Sequence, residues 1–426
     1  MKARHSHLPF VILLMLAWRN IWRHRRRTLI TLTSIAAGFA LSVLMIGLGD
    51  GSHNSMIRNA IKLGEGHITV QPRGYLEAPA NHKYLADGKV LQKKLDALNV
   101  AGSAESRITL QVLASTANNS VGAGLEGFDP EYDQRVAMLQ PQLVDGEWLT
   151  TGDARGIVIG DGMASKLKAK IGGKVVLMAG KQGGDSQAQL ARVRGIFDSR
   201  VDELDDYLIL SDIALAQRFL EGEGADLTQV PLTRFAIFLD DPDSMAHWKA
   251  QVKSSLENDQ VVVMDWEEMM PQLVQFVFVD DAGNYIFLVL ILIMVVFGIL
   301  NTVLMSVLER TREFGLLRAL GLSRYQLLML VFCESLLLSL LAVTIGWIAG
   351  GGTHWWFATH GIDMAALMGG GSTAMMGTFM DPVIYTELSS DRVVQLTGII
   401  FIATLGSGIY PAIKASRVTP VEALRT

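Results

Sequence analysis

No charged side chain occurs between Thr28 and Leu48, a stretch long enough to cross about 30 Å of hydrocarbon as a helix. Three further apolar runs follow, Gly283–Leu308, Gln326–Gly350 and Val393–Tyr410, the last closed by Pro411. Backbone groups in a bilayer must bond within their own segment, so runs of this kind are restricted to helices. Half of the 426 residues are hydrophobic. They gather in these four runs, and the rest reads like an ordinary globular domain. The composition therefore predicts a membrane protein with a sizeable soluble part.

The net charge of −5 conceals an asymmetry. Between Gly51 and Asp280 there are 32 Asp/Glu against 22 Lys/Arg, whereas the short remaining segments hold 15 Lys/Arg against 10 Asp/Glu. Basic flanks beside membrane spans mark the cytoplasmic side. Both termini are therefore placed in the cytoplasm and the acidic domain outside. An acidic soluble region argues against a nucleic-acid partner. The one cysteine, Cys333, lies in an apolar run, so no intrachain disulfide can form.

Lys2, Arg4 and the run Phe10–Ala17 have the start of a signal peptide, but no small-residue cleavage site follows. Residues 9–24 are read instead as an amphipathic surface helix. Trp18 and Trp22 would sit at headgroup depth and the arginines on anionic lipid. The predicted order is an interfacial helix (1–27), the first membrane helix with its extension (28–63), an extracytoplasmic α+β domain (64–275) and the second membrane helix (276–308). A cytoplasmic connector (309–325), the third membrane helix (326–350), an outer loop (351–392), the fourth membrane helix (393–410) and a cytoplasmic tail (411–426) complete it.

Within 64–275, strands are predicted at His67–Gln71, Ile108–Ala114, Gly156–Ile159, Lys174–Met178, Ala191–Phe197, Tyr207–Leu210, Arg234–Leu239 and Gln260–Met264. Helices are predicted at Lys89–Leu98, Met163–Lys168, Ser211–Phe219 and Ser244–Glu257, and a hairpin tip at Lys181–Gln187. Size alone suggests two subdomains.

The strongest motif follows the second span: Glu309, Arg310, Thr311, Arg312, Glu313, Phe314, Gly315, Leu316, Leu317, Arg318, Ala319, Leu320, Gly321. Phe314, Leu317 and Leu320–Leu322 form an apolar stripe at helical spacing, with charges opposite. Gly321 and Ser323 fit a helix end and a fresh N-cap. A short interfacial helix would satisfy this pattern. So would a coupling helix that docks in a groove of a cytoplasmic motor, with Phe314, Leu317 and Leu320 in the groove and Arg312 and Glu313 at its rim.

This segment resembles the coupling region of the ABC transporter permeases that include the macrolide exporter MacB, the lipoprotein-releasing LolC and LolE, and the divisome protein FtsX. Arg19-Asn20-Ile21-Trp22-Arg23 with Arg25–Thr28 is similar to the family's approach to its first span, and Asn301, Met305 and Glu309 to the end of its second. Tyr410-Pro411-Ala412, Ala415 and Pro420–Arg425 are similar to its C-terminal signature. Gly66–Val70, Asp145–Leu149, Val158–Ala164, Arg192–Phe197 and Asp265-Trp266-Glu267 follow the order of its outer domain.

The resemblance implies four membrane helices with a MacB-like periplasmic core domain inserted between the first and second, in a bacterial inner membrane. It implies a non-catalytic permease that pairs with a second permease, homo- or heteromeric, and with an ABC ATPase dimer. The sequence has no P-loop. ATP and Mg would therefore belong to a separate partner, with no cofactor or metal on this chain. Three tasks stay open: extraction of a lipoprotein or other lipid-anchored molecule, tripartite efflux through a periplasmic adaptor, and FtsX-like mechanical control of a cell-wall hydrolase. Extraction would use a lipid cavity between the first and second spans of two permeases, lined by Ile35, Phe39, Val43, Met45 and Ile46.

Two intramembrane polar residues, Asn301 and Glu334, stand out. A buried carboxylate needs a partner, so Glu334 is read as an interhelical hydrogen-bonding group rather than a proton site. Met364, Met368, Met375, Met376 and Met380, with His354 and His360, could suit a soft metal, but an adaptable apolar surface is the simpler reading. Asp202, Glu203, Asp205 and Asp206 are read as a solvated acidic loop rather than a calcium site, and the spaced glycines of the last two spans as packing positions.

Overall fold

The computed structural model describes residues 10–64, 66–180, 186–199, 202–221, 231–363 and 383–417. The Met364–Met380 cluster, the core of the expected hairpin tip and the C-terminal Pro420–Arg425 signature lie outside these. The chain divides into two compact units. One holds the helical segments before Ser55, Val277–Met364 and the part after Val383, and the other is mainly Ser55–Phe276.

Among the described residues, four helices are long and apolar enough to cross a membrane: Arg25–Leu63, Pro271–Glu309, Arg324–His360 and Ser390–Ser416. The short apolar helix Phe10–Ile21 leads into the first through a single 3-10 turn at Trp22–His24. It buries Leu13 and Ala17 against Leu330 and Cys333 of the third long helix. Toward one end the bundle packs Leu32, Ile35, Val303 and Val307 with Val331 and Ala415, and toward the other it packs Phe39, Val43 and Ile46 with Leu396 and Ile400.

The third long helix overturns one expectation. The span is predicted to end at Gly350, but the helix continues to His360 and stops at Gly361, whose φ of 69° suits a residue without a Cβ. The glycines upstream serve contact. A Cβ on Gly346 would lie 2.2 Å from the Phe39 ring, so only glycine lets the first and third helices approach this closely.

The second unit is built on a ten-stranded sheet among the described residues. Ile68–Pro72, buried throughout, lies between Val261–Asp265 and Arg234–Leu239. The long strand Gly102–Ser115 then spans the domain. Gly102–Arg107 pair with Arg234–Leu239, and Ile108–Ser115 pair with Ser120–Phe128. Leu208–Asp212, Gly156–Gly160, Ser186–Phe197 and Leu143–Gly146 extend the sheet, and Lys174–Gly180 pairs with both Gly102–Ser115 and Ser186–Phe197. One strand thus belongs to both halves, and a continuous core runs from Ile68 through Leu110 to Ile209 and Val263.

Two of the elements that the sequence did not reveal bear on the packing. Ser120–Phe128 forms a strand despite three glycines, which lower strand propensity. Gly127 is required there because a Cβ would lie 2.4 Å from Ala216. The acidic run Asp202–Tyr207 is a helix, not a solvated loop. Asp205 is buried and accepts hydrogen bonds from the Ser199 amide (3.0 Å) and hydroxyl (2.7 Å). Burial is the main reason its pKa rises to about 6.

Candidate functional site

The second long helix ends at Glu309. Arg310 leaves helical geometry (φ −100°, ψ 12°), and the chain turns into the short helix Thr311–Ala319. Gly321, at φ 105°, closes this elbow. Ser323 and Gln326 then form a reciprocal capping box, with the Gln326 amide donating to Ser323 Oγ (3.2 Å) and the Ser323 amide to Gln326 Oε1 (2.8 Å). The predicted helix end and N-cap are therefore both present.

A polar web holds the elbow. Arg310 donates to Glu334 Oε1 at 3.0 Å, and Asn20 of the helix Phe10–Ile21 donates to the same oxygen at 2.7 Å. Arg310 also donates to Glu313 (3.2 Å) and lies over the Phe314 ring (5.0 Å). Arg23 pairs with Glu313 at 2.6 Å, and Arg27 binds Glu309 through two hydrogen bonds of 2.8 and 2.6 Å. Thus the motif around Asn20 and the motif around Glu309–Glu313 meet in space, and Glu334 has the interhelical partners it was read to need.

The parts of this web differ in weight. Arg310 and Glu334 are both buried. Removing one member of such a pair costs about 3–5 kcal/mol, because the other charge is left stranded. Arg23–Glu313 is exposed and contributes little to stability. It still fixes position. Burial raises the Glu313 pKa, but hydrogen bonds from Arg310 and Arg23 outweigh that and hold the carboxyl below its ordinary value.

The face of the elbow differs from expectation. Phe314 is fully buried among Leu32, Val307, Leu327 and Ala412, and Leu317 packs beside it. Gly315 is buried and Arg318 half-buried. The outward side carries Arg312, Leu316, Leu320 and Gly321, followed by Tyr325. Phe314 and Leu317 of the apolar stripe face the protein's own bundle, since a short amphipathic helix buries its apolar side first against its neighbours, while Leu320 of the same stripe stays exposed. Leu316 is therefore the docking candidate that the stripe did not reveal, and Phe314 is a structural anchor.

A groove of about 570 Å³ lies between the first and second long helices. Ile35, Gly38 and Leu41 line one side, and Met294, Gly298 and Asn301 the other. Of the residues expected to line a cavity, Ile35 borders it. Phe39, Val43 and Ile46 turn instead into the bundle, where Phe39 meets Trp347 edge-on at 5.3 Å. The close approach at Gly346 draws that stripe toward the third helix. Met45 is exposed but does not line the groove.

At the other end of the helical unit, Arg392 bridges Asp50 (3.3 Å) and Asp281 (3.0 Å), and His53 meets Asp280 at 2.8 Å. The ligand atoms of Asp50, His53 and Asp281 are close enough for a metal ion. The guanidinium already supplies the positive charge there. His360 is stacked on Trp356 at 4.0 Å.

The comparisons agree with this architecture. Residues 28–255 match the MacB-like periplasmic core domain, and residues 285–420 match the FtsX-like permease C-terminal domain. An uncharacterized ABC transporter permease of Methanocaldococcus jannaschii is 22% identical over 96% of both chains. The lipoprotein-releasing system transmembrane protein LolE of Haemophilus influenzae is 25% identical over 74% of each. The macrolide export ATP-binding/permease protein MacB of Vibrio parahaemolyticus is 24% identical over 97% of this chain and 60% of its own length. With its four apolar helices, its elbow after the second and these two domains, the chain belongs to the MacB/LolC/FtsX family of ABC transporter permeases.

Proposed function

We propose that this permease converts ATP hydrolysis by a separate cytoplasmic ABC ATPase dimer into work outside the membrane. In this reading the termini and elbow are cytoplasmic. The α+β domain, inserted between the first and second membrane helices, is extracytoplasmic, and ATP and Mg sit on the ATPase. The carrying observation is the elbow. Its outward side offers Leu316, Leu320 and Tyr325, while its root is held by the buried Arg310–Glu334 pair. An apolar tip on a fixed root can pass on a push, because packed helices do not compress.

The work we assign is extraction of a lipoprotein or another lipid-anchored substrate by a pair of permeases. The groove beside Ile35 and Met294 supports this, since its largely apolar lining suits an acyl chain. The LolE relative, a lipoprotein-releasing protein by name, supports it too. Export through a periplasmic adaptor is the second reading, favoured by the match with MacB over 97% of this chain. The test is purification of tagged protein from its native membrane with mass spectrometry of what stays bound. An ATPase with a lipoprotein is the expected result. An ATPase with an adaptor favours export, one with a cell-wall hydrolase favours mechanical signalling, and no ATPase in any detergent or nanodisc rejects the proposal.

A further inference from the structure

The C-terminal end of the first long helix is held unusually. Its last carbonyls, which have no partner within the helix, are capped by two buried arginines. Arg135 Nε donates to Leu63 O at 2.9 Å, and Arg107 Nη1 donates to Gly64 O. Cations suit the negative end of a helix dipole. Both guanidinia are fixed from behind. Arg107 donates to both oxygens of Asp133 (2.8 and 2.9 Å) and to Glu105 (2.8 Å), and Arg135 pairs with Glu126. Asp133 also caps the helix Gln134–Leu139 by accepting from the Arg135 amide at 2.9 Å. Apolar packing covers the joint, with Ile61 against Ala236 and Phe238 and with Arg107 over the Phe238 ring at 5.3 Å.

The approach to the second long helix is built differently. The short helix Trp266–Met269 is capped by Asp265 and followed by Met270, which leaves helical geometry (φ −124°, ψ 59°) before Pro271. Its ion pairs, Lys249 with Asp265 and with Glu268, both at 2.7 Å, reach the surface. One helix thus ends in a buried clamp, and the other begins at a backbone break.

We infer that Arg107 and Arg135 are positioning residues that lock the helix end Ala60–Gly64 onto the strands of the α+β domain, so that this helix end and those strands move as one body. The inference rests on the reading of this chain as a transmitter of motion.

The test uses the full chain in nanodiscs. In the unaltered protein, hydrogen exchange at the amides of Ala60–Gly64 is expected to be as slow as in the strand Ile108–Ser115. The paired variant Glu126→Gln with Arg135→Gln removes both charges together, so that neither is left stranded, and draws the side chain at position 135 back from Leu63 O. It should speed exchange at Ala60–Gly64 by roughly tenfold or more and leave the strand unchanged. Unchanged exchange in that variant overturns the inference, because apolar packing alone would then hold the joint.

A second measurement leaves the clamp intact. Spin labels at Lys62→Cys and Lys170→Cys, in a Cys333→Ser background, should give one narrow distance distribution with or without ATPase and ATP. A broad or nucleotide-dependent distribution overturns the inference. A narrow one in a protein that binds no ATPase keeps the clamp and rejects the proposed function, so the two failures are distinguishable.

Discussion

Arg310 and Glu334 meet at 3.0 Å, joining the root of the elbow to the third membrane helix, and Asn20 of the helix Phe10–Ile21 shares the same carboxylate oxygen. Three segments far apart in sequence therefore depend on one buried carboxylate. Under the proposed function, tilting the elbow disturbs this contact, so that a push on its tip is passed to the second and third helices together.

Glu334→Ala should destabilise the helical unit by about 3–5 kcal/mol, since it strands the Arg310 charge. The double variant Glu334→Leu with Arg310→Met should recover most of that loss, because no unpaired charge remains. Thermal unfolding in detergent, followed for both variants, checks the contrast.

Leu320 and Phe314 should separate docking from folding. Leu320 is 73% exposed, so Leu320→Asp should fold and insert normally while losing ATPase binding. Phe314→Ala removes a fully buried ring and should cost about 3–5 kcal/mol. Expression level and melting temperature, set beside ATPase co-purification, distinguish the two.

The groove should tolerate filling from one side only. A Cβ on Gly298 meets nothing within 4 Å, whereas one on Gly38 would lie 2.9 Å from Val295. Gly298→Leu is expected to keep stability and to reduce co-purified lipid or lipoprotein severalfold. Gly38→Leu is expected to destabilise the bundle. Native mass spectrometry of the purified complexes reads the first effect.

The buried clamp should make the outer domain sensitive to pH. Around Glu105 lie Arg107, Arg135, Asp133 and Glu126, two guanidinia facing three carboxylates. Burial and then the Asp133 charge push the Glu105 pKa from 4.5 to about 7. Between those values the folded domain keeps a proton that the unfolded chain releases. The Glu105 contribution is therefore fully present below about 4.5 and is lost as pH rises through about 7. Glu105→Gln should flatten that part of the profile when melting temperature is recorded across the range.

The sequence makes the local features readable. The apolar runs, Gly321, Ser323 and the charged motif from Glu309 depend on neighbours a few residues away, and the structure places them as their spacing suggests. What depends on distant partners could not be read. Asn20 reaches Glu334 across 314 positions. Phe314 and Leu317 carry the apolar signal of a docking face, yet the surrounding helices claim that stripe and leave Leu316 outward. Phe39 and Val43 turn inward because Gly346, on another helix, makes room. Asp205 looked solvated because burial is not a property of its neighbours in sequence.

The most direct test is a photo-crosslinking residue at position 320 of the full-length permease in its native membrane, with one at position 314 as the buried control. Position 320 is expected to capture the ATPase subunit, and position 314 only this chain. Capture of lipid alone at position 320, with the ATPase present in the same membranes, would contradict the elbow as the point where ATP hydrolysis is coupled to this permease.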